Sequence, residues 1–101
     1  MAANEETDPY NEAAEQAVEL ANDLADKHQD ADLWDIADGV LAGAVHYWLY
    51  ARQPCEDPLC EECLAIRTPE ERLVELLRLV EEFAKESDYF LSANDHKVGR
   101  A

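Results

Sequence analysis

The stretch from Leu33 to Ala51 limits the fold more than any other part of the chain. Its apolar residues recur at helical steps on two adjacent strips. At about 100° per residue, Leu33, Ala37, Val40, Leu41, Ala44, Trp48 and Ala51 fall on one strip, and Ile36, Gly39, Gly43, Tyr47 and Tyr50 fall on the next. A helix that is apolar around so much of its girth needs cover from other helices. The pattern therefore predicts a central helix, here placed at Ala31–Arg52, in an all-α fold. Gly39 and Gly43 each cost such a helix about 1 kcal/mol relative to Ala. Close backbone approach of a second helix at these two positions is the simplest offset.

Proline and acid pairs mark where the other elements begin. Asp8-Pro9 reads as an N-cap followed by Pro at the first helical position, which starts a helix running to His28. Ala14, Ala17, Val18, Ala21, Leu24 and Ala25 form its apolar stripe, while Glu12, Glu15, Glu19, Asp23 and Asp26 face water. Asp57-Pro58 repeats the signal and predicts a short helix over Pro58–Ile66. Thr68-Pro69-Glu70-Glu71 is a capping box with Pro at N1, and the helix after it is expected to reach Tyr89. Leu73, Leu76, Leu77, Val80, Phe83 and Ala84 make its broad stripe. Glu81 and Lys85 stand in the favourable i, i+4 order on its outer side.

No alternating strand pattern appears. These elements predict a three-helix bundle with a short extra helix at 58–66, in a single helical domain over residues 1–101. The ends, about 1–8 and 92–101, lack periodicity and are expected to be loosely ordered. A chain of this size buries only about two thirds of its unfolded surface. Two Ala- and Leu-faced helices cover the long central one poorly, so a homodimer is expected, with Gly39, Gly43, Tyr47 and Tyr50 contributing to the contact. A two-fold pair is the commonest solution.

Charge then excludes whole classes of partner. The 101 residues carry 24 acidic side chains against 8 Lys plus Arg, a formal net charge of -16. The apolar share of 48% is too high for a disordered acidic tail. The field of such a molecule repels nucleic-acid phosphates and anionic lipid headgroups, so neither nucleic acid nor membrane is expected as a partner. Met1–Pro9 has no basic residue and no apolar run of the kind a signal peptide carries. Gly39–Ala51, interrupted by His46, is well short of the about 20 residues a membrane span needs. Three cysteines, an odd number, fit a reducing compartment. A cytoplasmic location follows as an expectation.

The acids are spread along the whole chain, and Lys occurs only at Lys27, Lys85 and Lys97. Self-repulsion on this scale weakens a compact state in dilute buffer. At about 1 M salt the screening length falls to roughly 3 Å and the penalty largely disappears. In its acidity, its scarcity of Lys and its ending Asp95-His96-Lys97-Val98-Gly99-Arg100-Ala101, the chain resembles small acidic proteins of haloarchaea that carry no assigned activity. That resemblance implies a salt-rich cytoplasm and transfers no functional residue. An acidic interaction protein adapted to ordinary salt is the competing explanation.

All three thiols, Cys55, Cys60 and Cys63, fall in one short segment with the spacing C-x4-C-x2-C. The C-x2-C pair is the recurring half-site of tetrahedral zinc. A four-ligand site lacks one donor here, and His46 on the central helix is the candidate. Three readings stand side by side. Cys60 and Cys63 can be small buried apolar residues. The three thiolates with His46 can hold structural zinc. Two of the thiols can form a redox pair, helped by a helix N-terminus but opposed by Glu56, Asp57, Glu61 and Glu62. Iron–sulfur ligation needs a fourth cysteine from another chain.

The remaining candidates point away from catalysis. His28 suits a helix C-terminus, and His96 pairs with Asp95 in the tail. Trp34, Tyr47, Trp48 and Tyr50 read as packing residues before they read as a ligand groove. No E-x-x-H pair, phosphate-cradling Gly loop, nucleophile elbow or H-E-x-x-H is present. The expected function is a small helical protein-interaction module adapted to high salt, with no enzymatic activity. The alternative is a zinc-binding or thiol-redox accessory protein built on the cysteine cluster. A mimic of DNA, with carboxylates spaced like phosphates, is a third idea.

Overall fold

A computed structural model describes residues 8–95 and shows helices with no strand among those residues. In chain order they are α1 (Pro9–Lys27), α2 (Leu33–Ala51), a 3-10 helix (Glu61–Ile66) and α3 (Pro69–Glu86). The all-α expectation holds. The chain divides into two compact units, Met1–Ala51 and Arg52–Ala101.

The first unit is α1 and α2 joined by a short polar turn. Asp8 caps α1 as the sequence suggests, its carboxylate accepting from the Tyr10 N–H at 3.0 Å, with Pro9 in the first turn. His28 stands at the C-cap, its N–H donating to the Leu24 carbonyl. Asp32 accepts from the Trp34 N–H at 3.0 Å, so α2 starts at Leu33, two residues later than expected.

Coverage within this unit is partial. On α1 only Ala21, Leu24 and Ala25 are half-buried, and the rest of the anticipated stripe is exposed. On α2 the half-buried residues are Ile36, Val40, Val45, Trp48 and Leu49, while Leu33 and Leu41 of the anticipated main strip are exposed. Hydropathy could not choose between faces on a helix whose apolar strips adjoin. None of the α2 residues is buried. Nor does a neighbouring helix approach its glycines: a Cβ added at Gly39 or Gly43 would meet nothing within 4 Å.

The second unit packs the 3-10 helix against α3. Leu76 on α3 is the one buried residue among those described, at 9% exposure. Pro54, Cys60, Cys63, Ile66, Leu79 and Ala84 are half-buried, whereas Leu73, Leu77, Val80 and Phe83 of the anticipated α3 stripe stay exposed. The capping box is complete. Thr68 Oγ1 accepts from the Glu71 N–H at 3.0 Å, and Glu71 Oε1 accepts from the Thr68 N–H at 3.2 Å. Arg72 Nη1 donates to the Ile66 carbonyl at 3.0 Å and ties the end of the 3-10 helix to α3.

On the outer side of α3, Lys85 meets Glu81 at 2.8 Å, the pair the sequence suggested, and Arg78 bridges Glu75 at 2.6 Å and Glu82 at 3.3 Å. The hydrogen bond from Arg78 holds the Glu75 carboxyl below its usual range. These pairs lie at the surface, where exposed ion pairs contribute little. α3 stops at Glu86, short of Tyr89, because Ser87 turns to extended backbone (φ -74°, ψ 140°) and its Oγ accepts from the Tyr89 N–H. Ser92–Asp95 forms a turn closed by the Ser92 N–H on Asp95 Oδ2 at 2.8 Å. His96 and the rest of the anticipated tail, like residues 1–7, lie outside the described residues. No described helix is long and apolar enough to cross a membrane.

Candidate metal centre

The cysteine segment does not begin as the helix anticipated over 58–66. Pro58 and Leu59 sit in a tight turn instead. The Cys60 N–H donates to the Asp57 carbonyl at 3.1 Å, and the Leu59 N–H donates to Asp57 Oδ1 at 2.9 Å. Asp57 therefore uses its capping chemistry to close a turn and not to start a helix. Cys60 is extended (φ -67°, ψ 118°), and the 3-10 helix follows from Glu61. That helix returns Cys63 toward Cys60, as a C-x2-C half-site requires.

The three sulfurs converge. Sγ of Cys55, Cys60 and Cys63 all lie within 4.8 Å of one another. The Cys63 thiol donates to the Cys55 sulfur at 3.6 Å, and the Cys55 N–H donates to Cys63 Sγ at 3.3 Å. The Cys55 thiol reaches the Asp57 carbonyl at 3.9 Å. All three cysteines are free, Cys55 exposed and the other two half-buried. A disulfide needs its sulfurs at about 2.05 Å. Two thiolates on one tetrahedral zinc, each about 2.3 Å from the metal, stand roughly 3.8 Å apart. The observed spacing is close to that of a metal site.

The electrostatics are uneven across the cluster. The Cys60 thiol is held below its usual range, first by the backbone N–H of Cys63, then by hydrogen bonds from the Cys55 and Cys63 side chains and the Glu62 N–H, with desolvation opposing. Cys63 is held above its usual range. The Cys55 N–H pulls it down, but the proton shared with Cys55, desolvation, Cys60 and the charge of Cys55 together outweigh that pull. Backbone N–H groups aimed at sulfur stabilise the thiolate, the form that ligates metal. Soft sulfur donors of this kind select zinc, copper(I) or iron–sulfur clusters over magnesium and calcium.

Of the four residues the sequence proposes as ligands, the structure gathers Cys55, Cys60 and Cys63. His46 lies on α2, in the other unit. One contributor escaped the sequence reading. Arg67, at the C-cap of the 3-10 helix, donates through Nη2 to the carbonyls of Asp57 at 2.8 Å and Cys60 at 2.9 Å. The available signal was its isolation, for it is the one basic residue between Gln53 and Glu71. No protein-family model, curated protein or solved structure matches this chain.

Proposed function

We propose that the chain is a small zinc-binding helical accessory protein in which three thiolates seat the metal and the metal fixes the second unit. The observation that carries this reading is the convergence of Cys55, Cys60 and Cys63 Sγ within 4.8 Å. Zinc drawn to the cluster meets four nearby carboxylates, Glu56, Asp57, Glu61 and Glu62, which attract a divalent cation at long range. Bound zinc also offsets the cost those acids impose on neighbouring thiolates. The fourth position of a closed tetrahedral site needs a further donor, for which His46 is the sequence candidate. The reading assigns the protein no enzymatic activity.

The test is metal analysis of the purified protein after loading with zinc and removal of excess. One zinc per chain is expected for the parent and none for Cys60→Ser or Cys63→Ser. Zinc retained by both serine variants removes the reading. His46→Ala decides the fourth ligand: lost affinity assigns it to His46, and unchanged affinity assigns it elsewhere. The thiol-redox alternative uses the same sulfurs and is favoured if the parent binds no zinc but mild oxidant joins Cys55 to Cys63.

A second reading, a homodimeric interaction module, has its own support. Tyr47 and Tyr50 are 68% and 70% exposed with ring centroids 5.8 Å apart, beside two glycines whose Cβ positions face open space. A second copy laid along this uncharged strip supplies cover for the exposed side of α2. Sedimentation in molar KCl tests it, and a monomer there ends it. A cytoplasm rich in salt is part of the same reading, so helicity that survives unchanged in salt-free buffer counts against it.

A further inference from the structure

Arg67 touches no sulfur, yet its side chain is joined to the backbone of the cysteine turn at two points. Asp57 and Cys60 bracket Pro58 and Leu59, and the Arg67 Nη2 donates to both bracketing carbonyls, at 2.8 and 2.9 Å. The Asp57 carbonyl also receives the Cys60 N–H at 3.1 Å. Cys60 is thus fixed through its own N–H and its own C=O, on either side of the sulfur-bearing carbon. Arg67 is itself anchored: its backbone N–H donates to Glu71 Oε1 at 3.1 Å, the oxygen that completes the α3 capping box. The guanidinium is half-buried, and its Nε has no hydrogen-bond partner. A half-buried planar cation whose Nη2 is committed to two carbonyls has few alternative orientations.

We propose that Arg67 is the positioning residue of the thiolate site, holding the C-x2-C turn in ligand geometry before metal arrives. The proposal rests on the zinc reading and adds how the site is made ready. A turn that is already ordered spares the metal the conformational entropy of ordering it, and affinity rises accordingly. Residues that orient ligands from behind typically change metal affinity 10–100-fold when removed.

The experiment compares the full-length parent with Arg67→Met, Arg67→Lys and Arg72→Met. Zinc affinity is read by competition with a chromogenic chelator, site geometry by the visible spectrum of the cobalt(II) form, and turn order by thiol alkylation rates without metal. Circular dichroism monitors the helices. Arg67→Met is expected to lower zinc affinity about 10-fold or more, to level the alkylation rates of the three thiols and to leave helicity in place. Arg67→Lys, which keeps the charge and some donor capacity, is expected to recover part of the affinity. Arg72→Met, which frees the Ile66 carbonyl outside the cysteine turn, should leave affinity near the parent value. Parent-like affinity and alkylation rates in Arg67→Met overturn the proposal, and if that variant fails to fold, parent-like behaviour of Arg67→Lys with loss in Arg72→Met does the same. A parent that binds no zinc sinks the metal reading instead, and the metal-free alkylation pattern then decides for or against Arg67 by itself.

Discussion

The two halves of this chain use different means to hold a shape. In the first unit, caps of two or three residues start α1 and α2, and the half-buried faces are made of Ala, Leu, Ile, Val and one Trp, none of them fully buried. In the second unit, side chains reach across the backbone. Arg67 spans 10 residues to Asp57, Cys55 spans 8 to Cys63, and Arg72 spans 6 to Ile66, around one buried leucine. The contrast separates two ways of specifying structure. Apolar contact gives free energy without direction, so a two-stripe helix accepts several neighbours. Directed hydrogen bonds to carbonyls fix one arrangement and leave the fold less dependent on area.

The sharpest way to break this contrast is to add zinc. At a free concentration about 100 times the dissociation constant, binding to the folded form alone stabilises it by about 2.7 kcal/mol. That shift is expected in thermal unfolding of the parent and is expected to vanish in Cys63→Ser. A melting temperature indifferent to zinc would mean that the second unit needs no metal. Leu76→Ala comes next. Truncating a largely buried leucine costs about 2–5 kcal/mol, and its partial exposure places it near the lower figure. Urea titration followed by circular dichroism measures it, and a negligible change would show that hydrogen bonds alone hold the second unit.

In the first unit the informative variants are Gly39→Ala and Gly43→Ala. With open space at both Cβ positions, each is expected to stabilise an isolated chain by about 1 kcal/mol through helix propensity. If α2 pairs closely with a second copy, the same methyls weaken the dimer, so stability and sedimentation move in opposite directions. Thr68→Ala, which removes half of the capping box, is expected to cost about 1 kcal/mol.

The smallest effect concerns pH. Zinc must displace the thiol protons. Cys63, held above its ordinary value of 9.0, still carries its proton at neutral pH, while Cys60, held below 9.0, releases its own earlier. Zinc affinity is therefore expected to climb as pH rises toward the Cys63 value and to fall as acid protonates Cys60. Alkylation at neutral pH, followed by mass spectrometry, should mark Cys60 before Cys63.

What the sequence disclosed follows the same divide. Asp8-Pro9, Thr68 with Glu71, and Glu81 with Lys85 are local signals, each confined to one turn, and each was read correctly. The cysteine cluster was also legible, because a C-x2-C spacing is closed by a single turn. What stayed hidden needed knowledge of the path between turns. Asp57-Pro58 has the same chemistry as Asp8-Pro9, yet it closes a turn, because Cys60 goes extended before the 3-10 helix forms. Arg67 could not be assigned, since nothing in Ile66-Arg67-Thr68 says that its side chain folds back over Asp57 and Cys60. What covers the exposed strip of α2 stayed hidden for a related reason. Hydrophobic periodicity tells how much surface asks for cover, but not which molecule provides it.

The ties around the thiols are also short in sequence, the longest spanning 10 residues. Closing a loop of that size takes on the order of 10–100 ns and costs little chain entropy. The cysteine turn can therefore assemble from its own stretch of chain, as soon as that stretch is free during synthesis. If the cluster is a zinc site, an arriving ion would find a formed seat and would not have to collect scattered sulfurs. On the zinc reading, the speed of metal capture would then be set by diffusion and proton release rather than by the folding of the whole molecule.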